Sequence, residues 1–307
     1  MTDAPALPPV PPPPLGRIGV WSADFYSMTR DEAAAAAAEL DRLGYGAIWL
    51  PEFLVRDPFV TAALVLAGAP RLTVATGIAN IWARDPAAMT SAAVTLNAAF
   101  GGRFLLGLGI SHAPLVDAIL GEVYAKPLAR MTRYLRDIDE TGDRMAAMGR
   151  PVAPQPRVIA ALGPKMLELA RDASAGAHPY LVTPEHTAQA RQVLGQGPLL
   201  APEQAVVLSP DPAVVRARGR DHLQGYLRLP NYTNNWKRLG FTDADLEDGG
   251  SDRLIEAMVA GGSPERIRER IEAHLNAGAD HVCVQVLNGD PAAVRDDWRR
   301  LAPVLLG

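Results

Sequence analysis

The sequence predicts an α/β fold, a (β/α)8 TIM barrel. Three observations carry this. Short apolar runs of strand length alternate with helical segments from Arg17 to the C-terminus, without a break in composition. Eight such units in about 290 residues suit a closed barrel better than an open sheet, and right-handed crossovers make consecutive strands parallel. The run Gly101-Gly102-Arg103-Phe104-Leu105-Leu106-Gly107-Leu108-Gly109-Ile110-Ser111-His112 reads as a strand buried on both faces, too short for a helix and bounded by glycine. Gly107 and Gly109 stand at its C-terminal end, where ligands sit in parallel α/β proteins, although glycines there also relieve crowding inside a barrel.

Residues 1–15 include Pro8, Pro9 and Pro11 to Pro14, which predicts an extended tail outside the packed domain of 16–307. Arg17 to Trp21 is the first strand. Thr29 and Glu32 form a capping box ahead of an alanine-rich helix that ends at Gly44. Ala47 to Leu50 is the second strand, closed by Pro51-Glu52-Phe53. Asp57-Pro58 starts a helix, with the aspartate as cap and the proline in the first turn. Leu72 to Gly77 is the third strand, and Asp85-Pro86 opens a helix that reaches Phe100. The fourth strand is the glycine-bounded run. A long helix over Leu128 to Met148 follows, then strands at Arg157–Ala161, Ala177–Val182, Gln204–Leu208 and His281–Val286. Helices begin at Pro164, Pro184, Pro212, Pro264 and Pro291. Segment 228–250, with Pro230, Tyr232, Asn234, Asn235 and Trp236, breaks the alternation and reads as an insertion before the eighth strand, able to fold over the barrel mouth.

Composition narrows the function. The chain has 30 Lys and Arg against 34 Asp and Glu, a net charge of -4, and no basic block, which argues against nucleic acid as a partner. Cys283 is the single cysteine, so no intrachain disulfide forms, and its apolar run predicts a buried thiol. No stretch is long and apolar enough to cross a membrane. The N-terminus lacks a signal-peptide pattern, so a cytoplasmic location is expected by default.

Active sites of this fold lie at the C-terminal strand ends. The candidates there are Trp21, Glu52, Gly77-Ile78-Ala79-Asn80, Ser111-His112, Gly163-Pro164-Lys165, His178, Tyr180 and Ser209. Gly163-Pro164-Lys165-Met166 opens a helix, whose free amides attract anions, with Lys165 adding charge; a plain helix start with a solvated lysine is the alternative. His112 has the side chain for acid–base work near neutrality. Glu52 is a candidate carboxylate or a partner for Arg56 or Arg84. His178 and Tyr180 alternate along a strand and share a face. No histidine pair has helical metal-site spacing, and there is no Walker loop, no G-x-G-x-x-G after the first strand and no G-x-S-x-G elbow.

Several stretches together carry a family resemblance. They are Leu43 to Glu52, Val74 to Ile81, Gly101 to Gly109, and Gly262-Ser263-Pro264-Glu265 with Ala277-Gly278-Ala279-Asp280-His281-Val282. Their order and spacing resemble the luciferase-like monooxygenase superfamily. Ala161 to Met166, with Leu162 and Gly163 at the strand end, and Ala177 to Leu181 resemble a branch assigned the deazaflavin coenzyme F-420. The resemblance implies a cofactor ring in the barrel mouth, a small organic substrate, and often a homodimer. It implies a non-proline cis peptide at Gly77-Ile78 and a cofactor phosphate at Gly163 to Met166.

The same comparison shows departures. Well-studied deazaflavin dehydrogenases carry an acid–His pair after the second strand, where this chain reads Glu52-Phe53. They carry a glutamate after the fourth, where it reads Ile110, then Ser111-His112. Their mechanisms do not transfer, which leaves Glu52 and His112 as the expected site groups. An FMN-dependent monooxygenase fed by a reductase, a non-catalytic flavin binder and an unrelated phosphosugar barrel are the alternatives. A groove lined by Lys126, Arg130, Arg133 or Lys165 would favour F-420, whose tail is acidic. The aromatic residues near the mouth suggest a flat or apolar substrate.

Overall fold

The computed structural model describes residues 10–53, 56–150 and 152–307. The elements run β1 (Ile18–Trp21), α1 (Arg30–Leu43), β2 (Ala47–Leu50), α2 (Pro58–Gly68), β3 (Thr73–Thr76), β4 (Ala79–Asn80), α3 (Pro86–Ala99) and β5 (Phe104–Gly109). They continue with α4 (Ala113–Leu115), α5 (Pro127–Ala147), β6 (Arg157–Ile159), α6 (Pro164–Ala173), β7 (Gly176–Ala177), α7 (Pro184–Leu194), β8 (Leu199–Leu200) and β9 (Glu203–Val207). The last are α8 (Pro212–Leu223), α9 (Pro230–Arg238), α10 (Asp243–Leu246), α11 (Asp252–Met258), β10 (Val259–Gly261), α12 (Pro264–Asn276), β11 (Val282–Val286) and α13 (Pro291–Leu306).

The strands pair in parallel in the order β10-β9-β11-β1-β2-β3-β5-β6-β7-β8, with β4 on β5. The result is an α/β fold whose parallel strands curl into a half-barrel. Only Ala201-Pro202 separates β8, which pairs with β7, from β9, which pairs with β11. The run 199–207 is thus bonded along both edges: the Glu203 amide reaches the Pro179 carbonyl at 2.9 Å, and the Cys283 amide reaches that of Pro202 at 3.0 Å.

Local signals explain the helices. The Thr29–Glu32 capping box is formed in both directions, and Asp57, Asp85, Asp211 and Asp290 cap helices that have proline in the first turn. β2, β3 and β5 are buried at every residue because helices cover one face and the sheet interior the other. The interior is filled by Trp21, Trp49, Leu105, Val158, Leu199 and Cys283.

Four expectations change. Leu15 belongs to that interior cluster at 5% exposure, and the Thr73 hydroxyl donates to the Pro14 carbonyl at 2.7 Å, so the expected tail over 1–15 is anchored at its C-terminal end. Residues 1–9 of that tail lie outside the described residues. The strand expected over Ala177–Val182 stops at Ala177, since Pro179 has no amide to donate and Leu181 turns to a φ of 52°. Segment 228–250 is mainly helical, with Pro230 opening α9 and a Thr242–Asp245 capping box opening α10. β10 intervenes between that segment and the last strand; three residues are too few for an alternation to show.

Candidate active site at the C-terminal strand ends

β3 is continued by a bulge that faces β5. The Gly77–Ile78 peptide is cis, after which Ala79 pairs with Leu108 and Asn80 with Gly109. Glycine is required opposite it. A Cβ on Gly107 would lie 1.9 Å from the Thr76 carbonyl oxygen, and one on Gly109 would lie 2.3 Å from Ile78 Cδ1. The Thr76 hydroxyl accepts from the Gly107 amide at 2.9 Å and donates to its carbonyl at 2.7 Å, locking the two strand ends together.

Glu52 supports this bulge. One carboxylate oxygen accepts from the Asn80 amide at 2.6 Å, and the other from Arg84 at 2.6 Å, with the side chain 3% exposed. Arg84 also binds Asp57 and lies over the Phe59 ring at 5.0 Å. The acid is therefore bonded through both oxygens to the backbone and to a cation.

Two aromatic floors meet at Gly77. Trp21 donates from Nε1 to the Gly77 carbonyl at 2.9 Å. His178 stacks on Trp49 with centroids 4.3 Å apart, and its Nδ1 donates to the Ala201 carbonyl at 2.7 Å. That bond makes Nε2 the unprotonated nitrogen, buried, without a hydrogen-bond partner among the described residues, and 3.1 Å from where a Gly77 Cβ would stand. Burial is the main cause that lowers the His178 pKa to about 4, so the ring is neutral.

Tyr180 lies half-buried against Trp21, ring centroids 5.2 Å apart. Its hydroxyl donates to Gln285 Oε1 at 2.8 Å and lies 3.3 Å from both His222 Nε2 and the Tyr226 hydroxyl. Behind this network Glu203 is 1% exposed; one oxygen accepts from the Leu181 amide at 3.1 Å and the other has no partner. Burial pushes its pKa up to about 8, which keeps the carboxyl protonated at neutral pH.

Ser111 takes a φ of 55°, the turn that leads from β5 into His112. The His112 ring lies 5.6 Å from Tyr232 on α9, with Nδ1 buried and unpartnered. Burial lowers its pKa, opposed by a hydrogen bond with Asn231. At the neighbouring strand end, Gly163 caps α6 without a side chain, and His186 Nε2 holds the Leu162 carbonyl at 2.8 Å. Pro164 occupies the first turn of α6, Lys165 is exposed, and Met166 packs on the core.

The structure thus gathers Glu52, Gly77, Ile78, Ala79, Asn80, Gly107, Gly109, His178 and Tyr180 around one bulge. Ser111 and His112 stand at the end of β5, and the Leu162–Met166 loop follows β6, which pairs with it. Sequence reasoning missed His222, Tyr226, Gln285 and Glu203. Two signals were present: His222 and Tyr226 are four residues apart, one helical turn, and Gln285 is the single polar side chain in the Val282–Val286 strand. Glu203 has no comparable signal. Clefts of about 600 and 240 Å³ lie along α5 and at the opposite, N-terminal strand ends, away from these residues. Among the described residues no cluster of three or more His, Cys, Asp or Glu is arranged for a metal, and no helix is long and apolar enough to cross a membrane.

The luciferase-like monooxygenase family model matches residues 15–281, and the chain belongs to that family. Among its relatives is a Mycobacterium tuberculosis protein described as a candidate coenzyme F-420-dependent oxidoreductase, 26% identical over 208 residues, which are 59% of each chain. The chain thus spans under two thirds of the length of that curated relative. Among solved structures, an F-420-dependent secondary alcohol dehydrogenase with an F-420–acetone adduct matches at a TM-score of 0.73 and 15% identity, covering 95% of this chain and 99% of the other. The oxygenating component of 3,6-diketocamphane monooxygenase from Pseudomonas putida, with FMN, matches at 0.65 and 16%, covering 95% and 100%.

Proposed function

We propose that the protein is an F-420-dependent oxidoreductase that transfers a hydride between the deazaflavin and a small organic substrate at the strand ends. The observation that carries this is the cradle at Gly77–Asn80. Its opposite wall has no room for side chains at Gly107 or Gly109, and beside it the buried His178 Nε2 has no partner. Such a surface fits a flat heteroaromatic ring with polar edge atoms. Gly77 to Asn80 would hold the ring, and Leu162 to Met166 its phosphate. A bound deazaflavin supplies the hydride acceptor or donor.

The chain's own groups do the rest. Glu52 fixes the Asn80 backbone and is a positioning residue in this reading. His112, neutral and close to Tyr232, is the candidate proton relay. Trp21, Tyr180 and Tyr232 give apolar walls that keep water from the ring. The same reading includes eight strands closed through segment 199–207, an insertion over the mouth, a homodimer, a reductase that supplies reduced cofactor and a cytoplasmic location.

One observation favours FMN as the second reading. Arg130 packs over Trp82 at 4.6 Å and Arg133 pairs with Asp137 at 3.9 Å, so two of the four cations expected along an acidic-tail groove have other partners. Fluorescence titration with F-420 and FMN in parallel separates the two. Micromolar F-420 binding with much weaker FMN binding is the expected result. Tight FMN binding alone moves the assignment to a two-component monooxygenase, and binding of neither removes both.

A further inference from the structure

We infer that Arg238 and Asn235, on the helix of the insertion, complete a phosphoryl-anion site at the start of α6. The inference takes from the proposed function only the identity of the molecule that carries the phosphate. α6 has ten residues and Gly163 caps it without a side chain; Pro164 has no amide hydrogen and the Met166 and Leu167 amides donate to the Gly163 carbonyl at 3.1 Å, so the Lys165 amide is the first-turn donor that faces whatever approaches the helix end. α9 is pinned across these strand ends by Trp236, which is fully buried and donates from Nε1 to the Leu181 carbonyl at 3.2 Å. The end of α9 then delivers Arg238 to the loop, with Nη2 3.6 Å from the place a Cβ on Gly163 would take.

The guanidinium is held and uncompensated. Arg238 Nη2 donates to Asn235 Oδ1 at 3.1 Å, and among the described residues no carboxylate lies within ion-pair distance of Arg238. Asn235 is 1% exposed, and among the described residues its Nδ2 has no partner. The amide thus anchors the cation with its oxygen while its nitrogen remains a buried, unused donor beside it. On the other side, His186 fixes the Leu162 carbonyl, and burial keeps that imidazole neutral. The Lys165 helix amide, a planar fork and an amide nitrogen form the donor set that a phosphate monoester or diester takes.

Lys165, the cation expected from sequence, stands on the first turn of α6 and, like Arg238, is exposed to solvent. Arg238 arrives from 73 positions further along the chain than Lys165, tying segment 228–250 to the anion. A cofactor and a phosphorylated substrate present the same phosphate chemistry to this site, and the test separates the two sources.

The test uses the full-length protein and the variants Arg238→Gln, Arg238→Lys and Lys165→Gln. Calorimetric titrations employ FMN against riboflavin, and F-420 against its phosphate-free deazaflavin riboside. Thermal-shift titration with inorganic phosphate runs beside them. Loss of a charged hydrogen-bonding partner should weaken the phosphorylated ligand by about tenfold or more in Arg238→Gln. The phosphate-free ligand should change by less than about twofold, and Arg238→Lys should fall between because it keeps charge without the fork. Lys165→Gln should have a smaller effect than Arg238→Gln. Equal weakening of both ligand forms, an unchanged Arg238→Gln, or a larger effect at Lys165 overturns the site. If wild type binds no flavin or deazaflavin but inorganic phosphate still raises its Tm through Arg238, the cofactor reading fails and the anion site stands, with a substrate as its source. If inorganic phosphate and every cofactor fail to bind, both fall.

Discussion

At the scale of single residues, His112 and Glu52 show how position decides role. Both were candidates because they end strands, and both carry titratable groups. Glu52 is bonded at both oxygens, to Asn80 and Arg84, which ties its charge to the scaffold. The sequence held this possibility, since Arg84 was among its expected partners. His112 has a nitrogen without a partner among the described residues and a ring against Tyr232 of α9. A general acid or base contributes about 10²-fold or more to turnover, so under the proposed function His112→Ala should slow the reaction by that order. Its cofactor Kd should move by less than about threefold on the same scale of single-contact effects. Equal loss of binding and turnover in steady-state and titration measurements would make His112 a binding residue instead.

At the scale of elements, α9 is the part least legible in the sequence and most consequential for the site. Its nine residues carry Tyr232 and Trp236 on the buried side and Arg238 at the end. Asn and Pro in this stretch read as loop signals, yet Pro230 is favourable in a first helical turn. The buried indole overrides the weak propensity of Asn234 and Asn235. Trp236→Ala should cost roughly 3–5 kcal/mol locally, the usual range for deleting a buried aromatic side chain. Because α9 lies outside the sheet, hydrogen exchange should rise across 226–246 while the strands stay protected. Uniform loss of protection would show that α9 and the sheet unfold as one unit.

At the scale of the whole molecule, stability should peak close to neutral pH. All six histidines have lowered pKa values, with burial the main cause throughout; His178, His222 and His281 fall to about 4 and His274 to about 3, from 6.5. Below pH 6.5 the unfolded chain binds protons that the folded one refuses, so stability is lost as pH falls. Glu203 has the opposite sign. Its folded pKa of about 8, against 4.5 unfolded, means the folded state holds a proton the unfolded chain has released. Its contribution is complete below pH 4.5 and declines as pH rises toward 8. Each such group changes stability by about 1.4 kcal/mol per pH unit across its window. Denaturation from pH 5 to 9 should therefore show a maximum at pH 6.5–7. Glu203→Gln should flatten the alkaline side and leave the acid side in place. An alkaline decline that persists in the variant would assign it to another group.

The sequence by itself determined the α/β class, the parallel alternation and the starts of nine of the thirteen α-helices among the described residues, because caps, prolines and glycines act within a few residues of themselves. Asp57-Pro58, Asp85-Pro86 and Ser263-Pro264 each open a helix where local chemistry requires it. Gly107 and Gly109 were visible as glycines, but their reason, the Thr76 carbonyl and the Ile78 side chain, lies across the sheet. Tertiary structure alone decided which polar groups meet. Tyr180 finds Gln285 from 105 positions away, and Arg238 reaches Gly163 from another element. Such encounters depend on how the parallel strands curl, and no periodicity in a single segment encodes them. Burial acts the same way: a histidine or glutamate acquires its charge state from neighbours on distant strands, so its chemistry becomes legible only once the chain has folded.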